Sequence, residues 1–316
     1  MKPIGGYFEL ELSAGQEYYT DLIRLNTGRN GLEYILSVKK YKKVYLPYYT
    51  CDAVLEPLEK LNIDYAFYHI DRQLDPVIDF EIKADEALIY TNYFGLKRTT
   101  VKRMAREKFH LIVDNAQAFF DRPLPGIDTF YSPRKFFGVP DGGYVSIKEM
   151  PDMELEEDDS SGRFGHLLKR ITDGAEAGHG AFLENEQKLN GQSVKKMSRL
   201  TRKLLASIDY NAVANRRRKN FEILHAKLAR FNKLKTELSA DAAPMVYPLY
   251  IEKAGLREYL IQNKIFVATY WPNVFNWTKP GQWEHQLAAN LIPLPVDQRY
   301  GEEEMQQIIQ LIEKYG

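Results

Sequence analysis

The sequence predicts an α/β protein: a large domain with a mostly parallel mixed sheet flanked by helices, and a smaller C-terminal α/β domain. Two observations support this. Short apolar segments alternate with segments of helical spacing as far as Ile147. After a helical region, the same alternation returns from Met245 onward. The chain of 316 residues is long enough for two such domains, and we place their boundary near Asp209, giving domains 1–208 and 209–316.

The elements of the large domain follow from the period of the apolar residues. Strand-like apolar runs are predicted at 43–47, 65–70, 86–94, 110–116, 126–132 and 142–147, and helical spacing at 31–38, 51–61 and 99–108. In parallel sheets, ligands bind at the carboxyl ends of the strands. Polar residues fall at or after several predicted strand ends, namely Asn92, Asp114, Asn115, Gln117 and Ser132. We therefore expect a site at this edge.

The second half begins with an acidic, loop-like stretch at 149–162 and continues with helices from 163 to about 234. Strands are predicted at 245–251 and at 265–272 ("IFVATYWP"), with helices at 255–264 and 302–315. The basic cluster at 216–219 has two interpretations, a nucleic-acid patch or a solvated helix face. Because Lys+Arg and Asp+Glu are both 43, the formal net charge is zero and we favour the solvated face.

Composition narrows the classes of protein. The balanced charge gives no general attraction to nucleic acid or to an anionic membrane. No apolar run approaches the ~20 residues of a membrane span, and the first residues show no signal-peptide pattern. A single cysteine, Cys51, fits a reducing compartment, so we expect a cytoplasmic protein. The six histidines lack ligand spacing, so we expect no metal site.

Three local features suggest a catalytic or ligand-binding site. Lys135 lies in "FYSPRKFFGVPDGGYVSI"; taken alone, a surface or salt-bridged lysine is the favoured interpretation. Asp114 ends an apolar strand, where a carboxylate needs a cation such as a protonated pyridine nitrogen, although a helix N-cap explains it equally well. The turn "NTGRNGLEYIL", with Gly28, opens a helix whose first N–H groups suit a phosphate.

The order of these features resembles the fold-type I enzymes that depend on pyridoxal phosphate (PLP), and more narrowly the DegT/StrS-type sugar aminotransferases. The similar segments are spread over most of the chain: "TGRNGLEYIL", "LPYYTCDAV", "NYFG", "VDNAQAF", "SPRKFFGVPDGGYV", "VYPLYI", "TYWP" and "LIPLPVDQRYGEEEMQQII". The most specific of them is "VDNAQAF". The resemblance implies pyridoxal 5'-phosphate as cofactor and a homodimer with active sites at its interface.

The resemblance also implies residue roles. Lys135 would hold PLP as a Schiff base, and Asp114 would pair with the ring nitrogen. The remaining cofactor-binding candidates are Gln117 near the ring hydroxyl, Gly28, Arg29 and Asn30 at the phosphate, Ser132 beside the lysine, Tyr49 against the ring, and Ser198 reaching the partner's phosphate. The chain departs from the family pattern at three positions: Arg29 replaces a hydroxyl residue, Phe130 a serine, and Cys51 the stacking aromatic.

The resemblance implies a PLP-dependent aminotransferase that acts on a nucleotide-linked keto-sugar, with glutamate or a similar amino donor. Such enzymes serve the biosynthesis of surface polysaccharides or antibiotic sugars. Two alternatives stay open: a PLP enzyme with a non-sugar substrate, and a non-catalytic regulator that binds PLP or a sugar. The altered phosphate and stacking positions motivate the second alternative.

Overall fold

A computed structural model describes residues 4–149 and 153–315. The strands are β1 (Ile23–Leu25), β2 (Lys43–Pro47), β3 (Asp64–Tyr68), β4 (Glu86–Thr91), β5 (His110–Asp114), β6 (Asp128–Tyr131), β7 (Gly143–Ser146), β8 (Val246–Tyr250) and β9 (Leu291–Pro295). The α-helices are α1 (Gly28–Lys39), α2 (Leu55–Lys60), α3 (Arg98–Met104), α4 (Gly165–Thr172), α5 (Gly174–Leu189), α6 (Arg199–Ala206), α7 (Tyr210–Leu228), α8 (Leu256–Gln262), α9 (Val274–Trp277), α10 (Trp283–Asn290) and α11 (Glu302–Tyr315).

Within these residues, seven strands form one mixed sheet in the order β1-β7-β6-β5-β4-β2-β3. The five strands from β2 to β6 run parallel, whereas β7 is antiparallel to both β6 and β1. The predicted mostly parallel mixed sheet is therefore confirmed. Strand β4 ends at Thr91 instead of Phe94, because a short 3-10 turn at Tyr93–Gly95 follows it.

Both faces of the sheet are covered, as expected for parallel strands with crossover helices. Leu88 and Tyr90 of β4 pack on one side with residues of α3. Ala87 and Ile89 point to the other side, where residues of α1 and α2 cover them. Because both faces are covered, β4 is apolar from Ala87 to Tyr90. No described helix has the length and apolarity that a membrane crossing requires.

Two glycines let β7 approach the start of α1. Gly142 has φ of +125°, a conformation that favours glycine. A Cβ on Gly143 would lie 2.2 Å from the carbonyl oxygen of Thr27, so no side chain fits there. The Gly142 amide donates to the carbonyl of Asn26 at 2.5 Å. The Asp-Gly-Gly sequence therefore brings the turn before α1 beside the segment that carries Lys135.

The C-terminal part contains the antiparallel pair β8–β9, packed with α7, α8 and α11 around a third apolar cluster. The predicted strand at 265–272 is wrong, because these residues are in no strand of either sheet. Three of them, Phe266, Ala268 and Tyr270, instead line a cavity. The second strand of the small sheet is β9. Asp209 caps α7 by accepting a hydrogen bond from Ala212, and the domain boundary near it stays a prediction.

Candidate functional site

Lys135 ends the 3-10 turn Pro133–Lys135, which directly follows the carboxyl end of β6. Its backbone amide donates to the carbonyl of Ser132 at 3.2 Å. The side chain is exposed where it reaches a cavity of about 420 Å³. The lysine thus lies at the edge of the sheet where the parallel strands end.

The surroundings of the Lys135 amine lower its pKa. Protein atoms surround it closely enough that desolvation lowers its pKa, even though the side chain borders the open cavity. The positive charges of Arg134 and Arg29 lower the pKa further, while Cys51 and Asp114 act in the opposite direction. A lysine with a lowered pKa has a larger neutral fraction at neutral pH, and only the neutral amine is a nucleophile or a base.

Asp114 is the last residue of β5 and is 6% exposed. Burial raises the pKa of its carboxyl to about 6, against opposing contributions from the Ala116 amide and Lys135. Its Oδ1 accepts a hydrogen bond from the Ala116 amide at 2.8 Å, and residues 115–120 form turns and no helix. The helix N-cap alternative is therefore wrong. Asp114 is therefore a buried carboxyl group near Lys135, and its ionised form is costly to bury.

Cys51 also belongs to this group. Burial raises the pKa of its thiol, and the nearby Lys135 charge lowers it. Cys51, where the resemblance implies a stacking aromatic, therefore lies near the lysine. Cys51, Asp114, Arg29 and Arg134 all lie close enough to Lys135 for their charges to shift the pKa of its amine.

The turn at Gly28 packs against Ser132: a Cβ on the glycine would lie 3.2 Å from the Ser132 Cβ. Asn30 is engaged elsewhere. Its side-chain amide donates to Glu33 at 3.1 Å and to the Gln192 carbonyl at 2.9 Å, and its backbone amide donates to the Thr27 cap at 2.9 Å. Gly28 and Ser132 are thus together near Lys135. The Asn30 side chain is hydrogen-bonded to Glu33 and Gln192.

Arg29 pairs with Glu56 and donates to the Asn190 side chain at 2.8 Å. This guanidinium is still close enough to Lys135 to lower its pKa. Because an arginine has five N–H donors, these two partners leave donors for an anion. The phosphate role of Arg29 stays a prediction.

Gln117 and Tyr49 are both buried. The Gln117 Oε1 accepts the Phe94 amide at 2.8 Å. The Tyr49 ring lies 5.0 Å from Trp271 and 5.7 Å from Tyr93 between centroids, and its hydroxyl has no hydrogen-bond partner among the described residues. Their roles at the cofactor ring stay predictions.

Ser198 is the N-cap of α6, with 2% exposure, and accepts a hydrogen bond from Thr201. Its hydroxyl donates to Asp141 at 2.7 Å and lies 2.6 Å from that of Ser160. This network holds Asp141, the residue before the two glycines, in place. Contact of Ser198 with a partner's phosphate stays a prediction.

Sequence reasoning missed Arg217, which belongs to the basic cluster interpreted as solvated. Arg217 is 2% exposed, and burial lowers its pKa to about 10. It donates to the carbonyls of Phe136, Pro244 and Met245, each at 3.2 Å, and to Gln298 at 3.0 Å. The Phe136 carbonyl also accepts from Gln298 at 2.8 Å. Arg217 therefore fastens the residue next to Lys135 to the C-terminal part.

Replacement of Arg217 by methionine is expected to lower the free energy of unfolding by about 3–5 kcal/mol, because several buried carbonyls lose their donor. Urea denaturation followed by fluorescence measures this. Arg216→Ala, an exposed change one residue earlier on α7, should change the unfolding free energy by less than about 0.5 kcal/mol. Equal effects of the two changes would contradict the role given to Arg217.

The fold is shared with solved aminotransferases. The sugar aminotransferase CalS13 from Micromonospora echinospora is 18% identical, with 93% of this chain and 87% of that chain covered, and a TM-score of 0.60. A DegT DnrJ EryC1 StrS aminotransferase from Brucella abortus is 18% identical, with 93% and 85% covered and a TM-score of 0.61. Spr1654 from Streptococcus pneumoniae, solved in its PLP form, is 16% identical, with 93% and 88% covered and a TM-score of 0.62.

These similarities confirm the fold predicted from the resemblance, that of the fold-type I sugar aminotransferases. No family model matches the chain, and no curated protein matches it either.

Proposed function

We propose that this chain is a PLP-dependent aminotransferase that transfers an amino group to a keto-sugar, with Lys135 as the covalent anchor of the cofactor. The observation that carries the proposal is the pair of Lys135 and Asp114. Both lie at strand ends on the ligand-binding edge of the sheet, the lysine with a lowered pKa and the carboxyl with a raised one.

The residues present fit PLP in three respects. Lys135 lines a cavity of about 420 Å³, within the usual range for a small-molecule site, whereas Asp114, Gly28 and Arg29 are not part of the wall of this cavity. Asp114 is a buried carboxylate without an ion pair closer than 4 Å among the described residues, so a cationic ring nitrogen would relieve its desolvation cost. Arg29 and the Gly28 turn supply donors for an anion near the lysine.

When bound, PLP supplies the electron sink that makes loss of a proton from the carbon next to the amine possible. Asp114 would keep a positive charge on the ring nitrogen. Lys135, released by the incoming amine, would remove the proton from the α-carbon of the donor and later return one to the sugar carbon that receives the nitrogen. We propose glutamate or a similar amino acid as donor, and a nucleotide-linked sugar as acceptor.

The assembly and location belong to the same proposal. A homodimer follows from the resemblance to the DegT/StrS-type enzymes, and a cytoplasmic location is supported by the single cysteine. Among the described residues, no cluster of three or more His, Cys, Asp and Glu side chains could hold a metal ion.

The purified protein, loaded with PLP, is expected to absorb in the visible range, and borohydride is expected to fix the cofactor on Lys135. Peptide mass spectrometry after reduction identifies the modified lysine. Addition of glutamate should remove the visible band, because the amino group passes to the cofactor. An adduct on a different lysine, or none, refutes the proposed anchor.

A second candidate function is a non-catalytic regulator that binds PLP. It is favoured by one observation: the Arg29 guanidinium pairs with Glu56, and the Asn30 side chain donates to Glu33 and to the Gln192 carbonyl, so two expected phosphate contacts are engaged elsewhere. The same experiment separates the two functions. A borohydride adduct on Lys135 with no response to any amino donor supports the regulator.

A further inference from the structure

Residues 4–12, which we call the N-terminal arm, contain the three most exposed large apolar side chains of the described residues. Ile4, Tyr7 and Phe8 are 99%, 98% and 92% exposed, and Leu10 follows with 61%. The arm belongs to no helix or strand. Single apolar side chains on a surface are normal, whereas a group of them in one segment usually marks an interaction site.

The arm has the pattern of a strand with one apolar side. Phe8, Leu10 and Leu12 alternate with Glu9 and Glu11, and residues two apart point to the same side of an extended chain. Neither glutamate side chain makes a hydrogen bond or an ion pair with another described residue. A segment of this kind is stabilised by a surface that takes its apolar side chains and matches its negative charge.

The base of the arm is held against the body of the chain at Gly15. A Cβ on Gly15 would lie 2.4 Å from the carbonyl oxygen of Ala206, so the main chain passes close to the end of α6. Residues 4–14 span up to about 36 Å when they are extended. The arm can therefore reach a neighbouring molecule while its base stays in place.

A second exposed surface of the chain has the complementary properties. We call it the α4 patch, and it consists of four consecutive exposed residues: Leu168, Lys169, Arg170 and Ile171. Leu168 is 51% exposed and Ile171 81%. The side chains of Lys169 and Arg170 make no hydrogen bond or ion pair within the part of the chain that the structure describes. The α4 patch thus joins apolar groups to unpaired positive charge, and the arm joins apolar groups to unpaired negative charge.

The carboxylates that follow the α4 patch along the chain do not cancel its charge. Asp173, at the end of α4, contributes one negative charge, and Glu176 of α5 is paired with Lys264 at 2.6 Å. The two cations of the patch therefore outnumber the one unpaired carboxylate beside them. The arm carries two carboxylates and no cation, so the two surfaces attract each other.

The α4 patch lies on an element that is anchored to the body of the chain. Helices α4 and α5 approach each other so closely that a Cβ on Gly178 would lie 3.0 Å from the carbonyl oxygen of His166. The buried Asn185 side chain of α5 donates to the carbonyl of Pro140 at 2.9 Å. A segment that docks on α4 therefore meets a surface that is already in position.

We propose that the N-terminal arm of one copy of the chain docks on the α4 patch of a second copy. The apolar side of the arm covers the two apolar residues of the patch, and the two long cationic side chains extend along the arm toward its carboxylates. A two-fold dimer uses each surface twice, so both arms and both patches are covered. An anionic membrane is a poorer partner, because the glutamates of the arm would be repelled by it. This inference rests on the homodimer of the proposed function and names a surface that holds it together.

The first test is photo-crosslinking of the full-length protein with p-benzoylphenylalanine in place of Phe8. Irradiation is expected to give a covalent dimer on a denaturing gel, and peptide mass spectrometry should find the link within α4. The matched control carries the same photoreactive residue in place of Phe275, an exposed phenylalanine of α9, and should give no link to α4. A link to α4 within one chain, which leaves the mass of the monomer unchanged, overturns the exchange between copies, and so does the absence of any link to α4.

The second test exchanges the charges of the two surfaces. Lys169→Glu combined with Arg170→Glu is expected to raise the Kd of the dimer by about 10-fold or more, measured by sedimentation equilibrium. Adding Glu9→Lys and Glu11→Lys to this variant should bring the Kd back to within about 3-fold of the original. Lys188→Glu, at an exposed lysine near the end of α5, is the matched control and should leave the Kd unchanged.

The outcomes separate this surface from the proposed function. A dimer whose Kd does not respond to the charge exchange overturns the docking of the arm and leaves the homodimer standing. A chain that stays monomeric at every concentration removes the docking and the homodimer together. The trapping of PLP on Lys135 is read separately, so its failure removes the proposed anchor and leaves the docking of the arm untouched.

Discussion

Lys135→Arg is expected to abolish covalent attachment of PLP and to lower transamination by about 10³- to 10⁴-fold. A guanidinium keeps the positive charge of the lysine but cannot condense with the cofactor aldehyde. Its pKa is also too high for it to act as a base near neutral pH. The variant therefore separates the charge of Lys135 from its chemistry, which Lys135→Ala removes together.

Three measurements check this result: the visible absorbance of the PLP-loaded variant, the peptide masses after borohydride, and the rate of amino transfer from glutamate. The free energy of unfolding should change by less than about 0.5 kcal/mol, because the side chain opens onto a cavity. Lys148→Arg, at an exposed lysine beyond β7, is the matched control and should retain full activity. Retained turnover in Lys135→Arg would exclude the lysine from the reaction.

Asp114→Asn is expected to make the cofactor-free protein more stable at neutral pH and the enzyme less active. The carboxyl has a pKa of about 6 in the folded chain, against an ordinary value of 3.8. Between these pH values the unfolded chain has released its proton while the folded chain still binds it. The free energy of unfolding therefore falls as the pH rises from about 4 to about 6, and stays level above that.

The free-energy cost of the ionised Asp114 carboxylate in the folded chain follows from the shift of its pKa. Two pKa units correspond to about 3 kcal/mol, so the asparagine variant should gain up to about 3 kcal/mol at pH 7.5 and nothing near pH 4. Asparagine can still accept the hydrogen bond from Ala116. Turnover should fall on the order of 10²- to 10³-fold, because the charge that stabilises the reacting centre is gone.

Two measurements test this prediction. Stability is measured by denaturant unfolding of the cofactor-free protein near pH 4 and at pH 7.5, and activity by turnover of the PLP-loaded enzyme. Asp241→Asn, at an exposed aspartate, should leave stability and turnover unchanged at each pH. A loss of stability at pH 7.5 in the Asp114 variant would show that the carboxylate is held by favourable contacts in the cofactor-free state, contrary to the direction of its pKa.

The sequence predicted that polar residues gather at the carboxyl-end edge of the sheet. This prediction needs only the periodicity that locates the strands and the rule that the carboxyl ends of parallel strands lie at the same edge. Asp114 and Lys135 each follow an apolar run, and β5 and β6 are neighbours in the sheet, so the two residues had to lie near each other. The order of chemically distinct segments also sufficed to predict the fold, which the solved aminotransferases confirm.

The sequence was less informative where tertiary contacts decide. Residues 265–272 have the composition of a strand, yet they find no ladder partner, and Phe266, Ala268 and Tyr270 line the Lys135 cavity. In the sequence, Arg217 is not distinguishable from its solvated neighbours, because a positive charge does not indicate whether a side chain points to solvent or into the core. A signal for its burial existed: Val213, Arg217, Phe221, Leu224 and Leu228 follow helical spacing and share the buried face of α7.

The close approach of Gly143 to Thr27 has a consequence for how such a chain can diverge. The distance between the lysine-bearing segment and the start of α1 is fixed by main-chain atoms, since a Cβ on Gly143 would collide with the Thr27 carbonyl. Side chains around this main-chain contact can then be exchanged without moving the two segments relative to each other. The Arg29 and Cys51 side chains take no part in this contact, so a different residue at either position would leave the spacing of the two segments unchanged.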